Sequence, residues 1–392
     1  MSKTLENIEG YLFPEYSKRK LHVLSETYGE LARLYGDIPQ QHGYEDRKEY
    51  LYQRQVIESK QIFAQHLKDI SGALGEVSET IIHVSMPVEH KKKALIAYLR
   101  KQGIQVREMV FLEGTEGKRK ISITARLIGR HTYSVEELAG MLSVFFDRRL
   151  VPSAESPYAM TKSFETFLVE DEPHYTIMSA MSRAVKENEK ISGDNYSVEE
   201  CQGGNIVLMI ADGMGSGEDA CKDSQSVIEF MEKFLDAGFQ KEKAFSMINA
   251  AIAAQTQGCN LTTLDLCMID LHNGEAEFIK AGAASSFRKR GNVVEEIASD
   301  MLPLGSLMEI SPMTQAYSLM DGDMIIMMSD GVTDCFEDEQ GNSSLQKIIA
   351  RNNTVNPREL SDYLLQYAIN CQGGRIRDDM TILVAGVWET KD

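Results

Sequence analysis

The sequence predicts an α+β protein in two parts, and three observations lead to this fold class. Residues 18–77 carry apolar side chains at the spacing of one helix face. From about residue 158 onward, short apolar runs alternate with turn signals, as in strands joined by hairpins, and helical stretches interrupt them. Several of these runs end directly in an aspartate. We therefore expect a first part over residues 1–157 and a larger second part over residues 158–392.

The first part begins with two predicted amphipathic helices. Their apolar positions are Leu21, Leu24, Tyr28, Leu31 and Leu34, and then Val56, Phe63, Leu67, Ile70 and Leu74. The pattern fits helices packed on a core. It also fits a lever or a dimer seam, because too few heptads are present to decide between them. These helices are accordingly candidates for self-association.

A small α+β module is predicted next, over residues 81–151. One helix ends at Gly103, two strands flank the turn GTEG, and a second helix opens with a capping box formed by Ser134 and Glu137. The module shows no concentration of catalytic residue types. The stretch VPSAESP that follows it is typical of a linker.

Composition and charge exclude several classes of protein. The 392-residue chain has a formal net charge of −18, and binding to a phosphate backbone needs a basic face, so nucleic acid is not an expected partner. The six cysteines, all from Cys201 onward, form no CxxC pair or Cys/His cluster, which indicates reduced thiols and no zinc site. We find no signal peptide and no apolar run of the roughly 18 residues that a membrane helix needs. The expected location is the cytoplasm, or the membrane surface if the sequence is part of a longer chain.

A predicted hairpin in the second part brings two acidic residues together. The stretches SGDNYSVEEC and NIVLMIADG flank the turn QGGN. A turn centred between Gly203 and Gly204 places residue 194 opposite residue 213. Asp194 is therefore expected beside Asp212 and Gly213, and a slip of one residue in the register would still leave them close.

Two further strand ends repeat this arrangement. The run MIIMMSDG ends in Asp330 and Gly331, and Asp378 and Asp379 come directly before the run MTILVAGV. One such acid fits an ordinary turn, but four on long apolar strands indicate a shared site. Clustered carboxylates repel one another unless cations lie between them, and Mg²⁺ and Mn²⁺ prefer oxygen ligands. The pattern therefore predicts a divalent-cation site.

Six motifs taken together resemble a known family. They are SGDNYS, ADGMGSG, TTLDL, LPLG, MMSDGVTD and RDDMT, and they extend over roughly residues 163–388. This set resembles the metal-dependent PPM family of serine/threonine protein phosphatases, most closely its bacterial sporulation branch. The resemblance implies an α-β-β-α sandwich of two antiparallel sheets, with two Mn²⁺ or Mg²⁺ ions at one edge. It also implies that residues 1–157 are a regulatory region.

The resemblance further assigns roles within the motifs. It implies that Asp212 bridges both ions, that Asp330 and Asp378 complete one of them, and that Asp194 and the Gly213 carbonyl hold the other. Asp212 and Asp330 are then the catalytic candidates, because the ions that they hold activate a bridging hydroxide for attack on phosphorus.

Several residues depart from the family or have lesser roles. Met214 stands where eukaryotic members have a histidine proposed to donate a proton, and the stretch KENEKISGD lacks their phosphate-binding arginine. Ala283 stands where many members have an aspartate for a third metal ion, so the site of a third ion is incomplete. Asp265, in the middle of TTLDLCMIDL, is expected to hydrogen-bond within its sheet. Asp379 is expected to influence the orientation of Asp378 without binding an ion itself.

The resemblance implies a substrate and a mode of control. The substrate is a phosphoserine on a bacterial regulatory protein, an anti-anti-sigma factor of a sporulation or stress pathway. The N-terminal helices are expected to pack on the helices near residues 223–255 and so to influence the Gly213 carbonyl. A catalytically inactive phosphatase fold that only binds partners is the alternative. A dinucleotide site fits less well because GMGSG is not GxGxxG, and a receiver domain fits less well because it needs a compact parallel sheet.

Overall fold

The computed structural model describes most of the chain from residue 83 onward. The described ranges are 83–85, 89–113, 119–128, 131–153, 156–201, 204–215, 217–236, 239–253, 261–307, 310–336 and 344–390, with helical positions between 25 and 33 and between 64 and 75. The chain divides into two compact units, one containing residues 75–173 and the other containing residues 24–74 and 174–392. No helix among the described residues is long and apolar enough to cross a membrane.

In the described part of residues 83–173, the first unit contains one five-stranded antiparallel sheet and two helices. Its strands are β1 His83–Ser85, β2 Ile104–Glu113, β3 Arg119–Leu127, β4 Leu150–Pro152 and β5 Glu165–Asp171, and its helices are α1 Glu89–Lys101 and α2 Val135–Phe146. The strand order is β1-β2-β3-β5-β4. Leu99 of α1 and Leu142 of α2 share one apolar core with Phe167 of β5. Burial of these side chains is the main favourable contribution to the folding of this unit.

The helix start and the helix end predicted in the first unit are both observed. The Ser134 hydroxyl accepts from the Glu137 amide, and the Glu137 carboxylate accepts from the Ser134 amide, so the capping box is confirmed. Gly103 follows the last turn of α1 with a φ of 80°, in the left-handed region that glycine adopts without strain.

The division between the two parts differs from the expected one. The predicted linker VPSAESP begins within β4, and the following β5 pairs with both β3 and β4. Residues 158–173 therefore lie in the first unit, whose boundary is at residue 173 rather than 157. Proline and serine mark the end of a short edge strand here as readily as they mark a linker.

Within the described part of residues 174–390, the second unit contains two five-stranded antiparallel sheets and four helices of seven or more residues. The strands are β6 Tyr175–Ala184, β7 Asp194–Cys201, β8 Asn205–Gly213, β9 Thr262–Asp270, β10 Glu275–Ala281, β11 Ser286–Arg290, β12 Val293–Ile297, β13 Thr314–Ser318, β14 Met324–Met328 and β15 Met380–Glu389. The helices are α3 Glu218–Asp236, α4 Lys241–Ala253, the short α5 Asp330–Thr333, α6 Leu345–Arg351 and α7 Pro357–Cys371. The strand orders are β13-β10-β9-β8-β7 (the front sheet) and β12-β11-β14-β15-β6 (the back sheet).

Three apolar layers hold the second unit together. Leu208 and Ile210 of β8 face the core between the two sheets, which contains Met327 of the back sheet. Val207 and Met209, at the alternate positions of the same strand, pack with α3 and α4. The other face of the back sheet packs with α6 and α7. The predicted α-β-β-α sandwich is therefore confirmed.

The hairpin of β7 and β8 is shifted by one residue from the predicted register. Cys201 pairs with Asn205, and Asp194 pairs with Asp212 rather than with Gly213. Residues 202–204 lie between the two strands, one more than the register predicted from the sequence allows. The two aspartates are consequently direct neighbours at the end of the front sheet.

The N-terminal helical positions belong to the second unit. Helical residues are described between 25 and 33 and between 64 and 74. Some of the predicted apolar positions lie outside the described residues; these are Leu21, Leu24, Leu31, Leu34, Val56 and Phe63. The Ser25 hydroxyl donates to the Ser71 carbonyl, and the Ser71 hydroxyl donates to the Ser25 carbonyl, each at 2.7 Å. These reciprocal bonds join the two helical stretches.

Candidate active site

The ends of both sheets carry the aspartates predicted from the sequence. In the front sheet, Asp194 begins β7 and Asp212 lies one residue from the end of β8. In the back sheet, Asp330 follows β14 after one residue, and Asp378 comes two residues before β15. Because antiparallel strands that meet at one edge alternate in direction, two strand starts and two strand ends converge there.

Electrostatic effects show that these carboxylates share one site. Burial, together with the nearby charges of Asp194, Asp330 and Asp378, raises the pKa of Asp212 to about 8. Burial likewise raises the pKa of Asp194 to about 6, with a contribution from the charge of Asp330. The pKa of Asp330 is raised by burial and then by the charges of Asp334 and Asp378. Without a cation, the site therefore favours protonated carboxyl groups.

Two glycines allow the backbone to pass closely at these strand ends. A Cβ atom on Gly213 would overlap the carbonyl of Ala220, in the first turn of α3. A Cβ atom on Gly331 would overlap the carbonyl of Asp379. Glycine is therefore required after Asp212 and after Asp330. This close backbone approach explains the repeated DG motif more specifically than turn propensity does.

The Asp379 carboxylate bonds to the backbone, and it is the Asp379 amide that contacts Asp378. Its carboxylate accepts from the Lys186 amide at 3.0 Å and from the Gly193 amide at 2.7 Å. It therefore fixes the segment that leads into Asp194. The Asp379 amide donates to the Asp378 carboxylate at 3.0 Å, which orients that side chain.

Lys186 is a site residue that sequence reasoning missed. Its ammonium group lies 3.3 Å from the Asp378 carboxylate, and both side chains are partly exposed. The lysine occurs in KENEKISGD, the stretch noted for its missing arginine, so a search for any cation there would have found it. Lys186 places a positive charge at the rim of the acidic site.

The donor set fits a hard divalent cation. Asp194 is almost fully buried, and its Oδ2 has no hydrogen-bond partner among the described residues. A buried carboxylate oxygen without a partner is costly, and oxygen-only donor sets suit Mg²⁺ or Mn²⁺. Within the described ranges, however, no three acidic, histidine or cysteine side chains already surround one point. Ion binding would therefore require side-chain rotation, for example of Asp378 away from Lys186.

Comparison with known proteins gives consistent results. The family model described as stage II sporulation protein E (SpoIIE) matches residues 202–388. Stage II sporulation protein E of Bacillus subtilis is 28% identical over 335 residues, which are 85% of this chain and 40% of that protein. The solved structure of its PP2C phosphatase domain with a fragment of its regulatory domain has a TM-score of 0.64 and 26% identity, and covers 88% of this chain and 100% of that chain.

Residues 202–388 match the SpoIIE family of PP2C-like (PPM) phosphatases, and the fold resembles that of the solved SpoIIE phosphatase domain. This confirms the family inferred from the motifs, including its sporulation branch. A second curated relative, the phosphoserine phosphatase RsbU of Bacillus subtilis, is 23% identical over 201 residues, which are 50% of this chain and 59% of that protein. The chain thus spans less than two thirds of the length of these curated relatives.

A buried ion pair lies beneath the site of this PP2C-like domain. Asp265 of β9 faces Lys280 in the register of β9 and β10, and the ammonium group lies 2.6 Å from Asp265 Oδ2. The Ser286 hydroxyl of the back sheet also donates to this oxygen. Asp265 is therefore bonded between strands, as expected. Its partner Lys280 was not anticipated, although a strand lysine between isoleucine and alanine was a visible signal.

The N-terminal helical segment contacts the helices that follow the DG motif. Lys243 of α4 lies 4.0 Å from the Asp69 carboxylate. Ile70 and Phe230 line a largely apolar cavity of about 340 Å³ between this segment and the helices α3 and α4. The predicted packing near residues 223–255 is therefore observed.

Proposed function

We propose that the second unit is a metal-dependent protein serine/threonine phosphatase domain. In this proposal it hydrolyses phosphoserine on a bacterial regulatory protein, an anti-anti-sigma factor. The observation that carries the proposal is the convergence of four aspartates at one edge of the sandwich, where burial and neighbouring charges raise the pKa values of Asp194, Asp212 and Asp330. The family match supports the reaction class, and the similarity to RsbU and SpoIIE supports the substrate class.

In this proposal each residue of the site has its own role in binding the ions or positioning the ligands. Asp212 and Asp330 hold two Mn²⁺ or Mg²⁺ ions, together with Asp378, Asp194 and the Gly213 carbonyl. When bound there, such ions would lower the pKa of a water and neutralise charge on the phosphate. Asp379 holds the backbone that presents Asp194.

Lys186 adds a partly exposed cation at the rim. If Asp378 held an ion, its contact with the lysine would be released, and the ammonium group would then be available to a phosphate oxygen.

Metal-dependent hydrolysis of p-nitrophenyl phosphate by the whole chain tests the reaction. We expect turnover with Mn²⁺ that EDTA abolishes, and loss of turnover in Asp330→Asn. Asp321→Asn, which removes a carboxylate bonded to the Glu389 amide, is the matched control and should keep its activity. An inactive wild type with a correctly folded spectrum would support the alternative, a phosphatase fold that only binds partners.

A panel of phosphorylated bacterial regulators tests the substrate. We expect one anti-anti-sigma factor to be dephosphorylated much faster than the others and than free phosphoserine. Equal rates on all of them would contradict the proposed substrate class while leaving the reaction class intact.

We also propose that the N-terminal helical segment controls the site. It packs on α4 and lines the cavity beside α3, and α3 begins just after Gly213. A shift of these helices would move the Gly213 carbonyl and change how firmly an ion is held. About 1.4 kcal/mol of such coupling changes metal affinity tenfold.

Ile70→Asp tests this control because Ile70 lines the cavity, and exposed Lys68→Ala on the same helix is its control. We expect altered Mn²⁺ affinity only in Ile70→Asp. Equal Mn²⁺ affinity in the two variants would show that the segment is a passive tether.

A further inference from the structure

The buried carboxylate of Asp265 is only half satisfied. Its Oδ2 is bonded to the Lys280 ammonium group and the Ser286 hydroxyl. Its Oδ1 has no hydrogen-bond partner among the described residues. Asp265 is 1% exposed, so bulk water does not reach this oxygen. Buried acceptors of this kind normally have a protein or water partner.

A small cavity adjoins this carboxylate and reaches the acidic site. It has a volume of about 10 Å³, close to the minimum for one water molecule. Asp265 and Thr263 of the front sheet line it, together with Asp212 and Asp330. The cavity therefore lies between the Asp265–Lys280 pair and two aspartates of the candidate metal site.

Thr263 supplies the hydrogen-bond donor that such a water needs. Its Oγ1 accepts from the Asp212 amide at 3.1 Å, so its own O–H remains to be donated. No acceptor for this O–H is found within the described part of the chain. Thr263 and Asp265 are two residues apart on β9 and so point to the same side of the sheet. The cavity thus has the Thr263 hydroxyl as an available donor, the Ser329 hydroxyl, which already donates to the Asp379 carbonyl, and several carboxylate acceptors.

We propose that one ordered water occupies this cavity and makes Asp265 a positioning residue for the metal site. The water accepts from the Thr263 hydroxyl. It donates one hydrogen to Asp265 Oδ1 and the other to the carboxylate of Asp212 or Asp330. These three bonds are the usual number for a buried water. The inference rests on the proposed function, because it is the metal-holding aspartates that the water orients.

The charges in the cavity favour water over a third cation. Lys280 already neutralises Asp265 at 2.6 Å, and both side chains are buried. Ala283, Ala284 and Met328 also line the cavity and offer no oxygen ligand from their side chains, and the Ser329 hydroxyl is already bonded to the Asp379 carbonyl and the Thr381 amide. A further divalent ion would therefore lie near the Lys280 ammonium group with an incomplete ligand set.

The expected consequence is on metal affinity. Groups that hydrogen-bond to metal ligands fix the orientation of those ligands, and removing them costs about 10- to 100-fold in affinity or activity. The Asp265 carboxylate accepts from the water, so the water must donate its second hydrogen to Asp212 or Asp330. In Asp265→Asn the amide can instead donate to the water, and this orientation is no longer fixed.

Mn²⁺ binding to the whole chain, measured by the electron paramagnetic resonance signal of unbound Mn²⁺, tests the inference without an activity assay. We expect Asp265→Asn to bind Mn²⁺ about 10- to 100-fold more weakly than the wild type. Asp323→Asn is the matched control. Asp323 is also buried and paired, with Arg290, but it precedes β14, whereas Asp330 follows that strand. Its loss should lower the melting temperature and leave Mn²⁺ affinity unchanged.

A double variant separates positioning from stability. Asp265→Leu with Lys280→Met replaces the buried ion pair by apolar side chains of similar size, which commonly preserves or raises stability. We expect this variant to fold and still to bind Mn²⁺ weakly. Wild-type Mn²⁺ affinity in the double variant, or in a folded Asp265→Asn, would overturn the inference while leaving the proposed function intact.

A high-resolution crystal structure of the Mn²⁺-loaded protein provides the second measurement. Density for a water within hydrogen-bond distance of Asp265 Oδ1 is the expected result. An anomalous manganese peak in the cavity, or an empty cavity, would overturn the inference. A wild type that neither binds Mn²⁺ nor hydrolyses a phosphoester would instead remove the proposed function, and this inference with it.

Discussion

The two units of the chain differ in what their strands bury. In the first unit, β3 alternates between buried and half-buried positions, and Ser153 is the one polar residue among the buried positions described there. In the second unit, β8 is buried at six consecutive positions, and charged groups are buried as well. These charged residues are Asp194, Asp265, Lys280, Lys289, Asp323 and Asp379.

The difference follows from the number of layers. A sheet with one half-buried face leaves its strand ends close to water, so carboxylates there would stay hydrated and would keep ordinary pKa values. Two stacked sheets with helices outside them enclose the strand ends at the shared edge. Aspartates at that edge lose water and approach one another, and the pKa of Asp212 rises to about 8. The second sheet therefore encloses the aspartates of the DG motifs at the shared edge, and this burial is what makes the site suit cations.

Asp212→Asn is the change expected to weaken this contrast most. It removes the carboxylate most affected by its neighbours, and in the proposed site it removes charge from both ions. We expect turnover of p-nitrophenyl phosphate to fall roughly 10³-fold at saturating Mn²⁺, equivalent to several kcal/mol of transition-state stabilisation. Near wild-type turnover would show that the site is misassigned.

Leu142→Ala tests how much the apolar core contributes to the stability of the first unit. Leu142 is fully buried among the apolar side chains of that unit. We expect a loss of about 2–5 kcal/mol in the free energy of unfolding, from lost burial and the cavity left behind. Hydrogen exchange of the β2 and β3 amides measures it. Val144→Ala on the same helix, where the side chain is 77% exposed, should cost almost nothing. Equal effects of the two changes would refute the described core.

The same contrast explains which features could be predicted from sequence. Alternation, caps and turn residues are local, so the helix after Ser134 and the strands around GTEG were found. Four aspartates after apolar runs were sufficient to predict a shared site. The family resemblance, not periodicity, supplied the sandwich.

Longer-range pairings were not predictable in the same way. The pairing of β5 with β3 joins residues 40 to 50 positions apart, from Ala125 with Glu165 to Lys120 with Glu170, and nothing local indicates it. Lys280 and Lys186 were missed for a related reason. Each lysine acquires its role from an aspartate that is distant in sequence, namely Asp265 and Asp378.

In the metal-free protein, the buried carboxylate of Asp212 should make the stability of the second unit depend on pH. Asp212 has an ordinary pKa of 3.8 when unfolded and a pKa of about 8 when folded. Between these values the folded state binds more protons than the unfolded state, so stability falls as the pH rises. The limiting slope is about 1.4 kcal/mol per pH unit for one proton. We expect urea midpoints in EDTA to decrease from pH 6.5 to 7.5.

Two controls identify Asp212 as the source of this slope. Asp212→Asn should remove it, because the amide does not titrate. Saturating Mn²⁺ should also remove it, because a cation then takes the place of the proton. The same slope in Asp212→Asn would assign it to another group.

The smallest expected effect is one that should be equal in the two units. Ser134 caps α2 in the first unit and Asn356 caps α7 in the second, and each side chain accepts from a backbone amide in the first turn of its helix. Capping satisfies local donors and does not depend on how many sheets lie behind the helix. Ser134→Ala and Asn356→Ala should each cost about 1 kcal/mol in the free energy of unfolding. Hydrogen exchange of the amides in the first turn of each helix gives the two values separately. A much larger cost for Asn356→Ala would mean that burial in the sandwich strengthens even its local hydrogen bonds, and the contrast between the units would then extend beyond the strand ends.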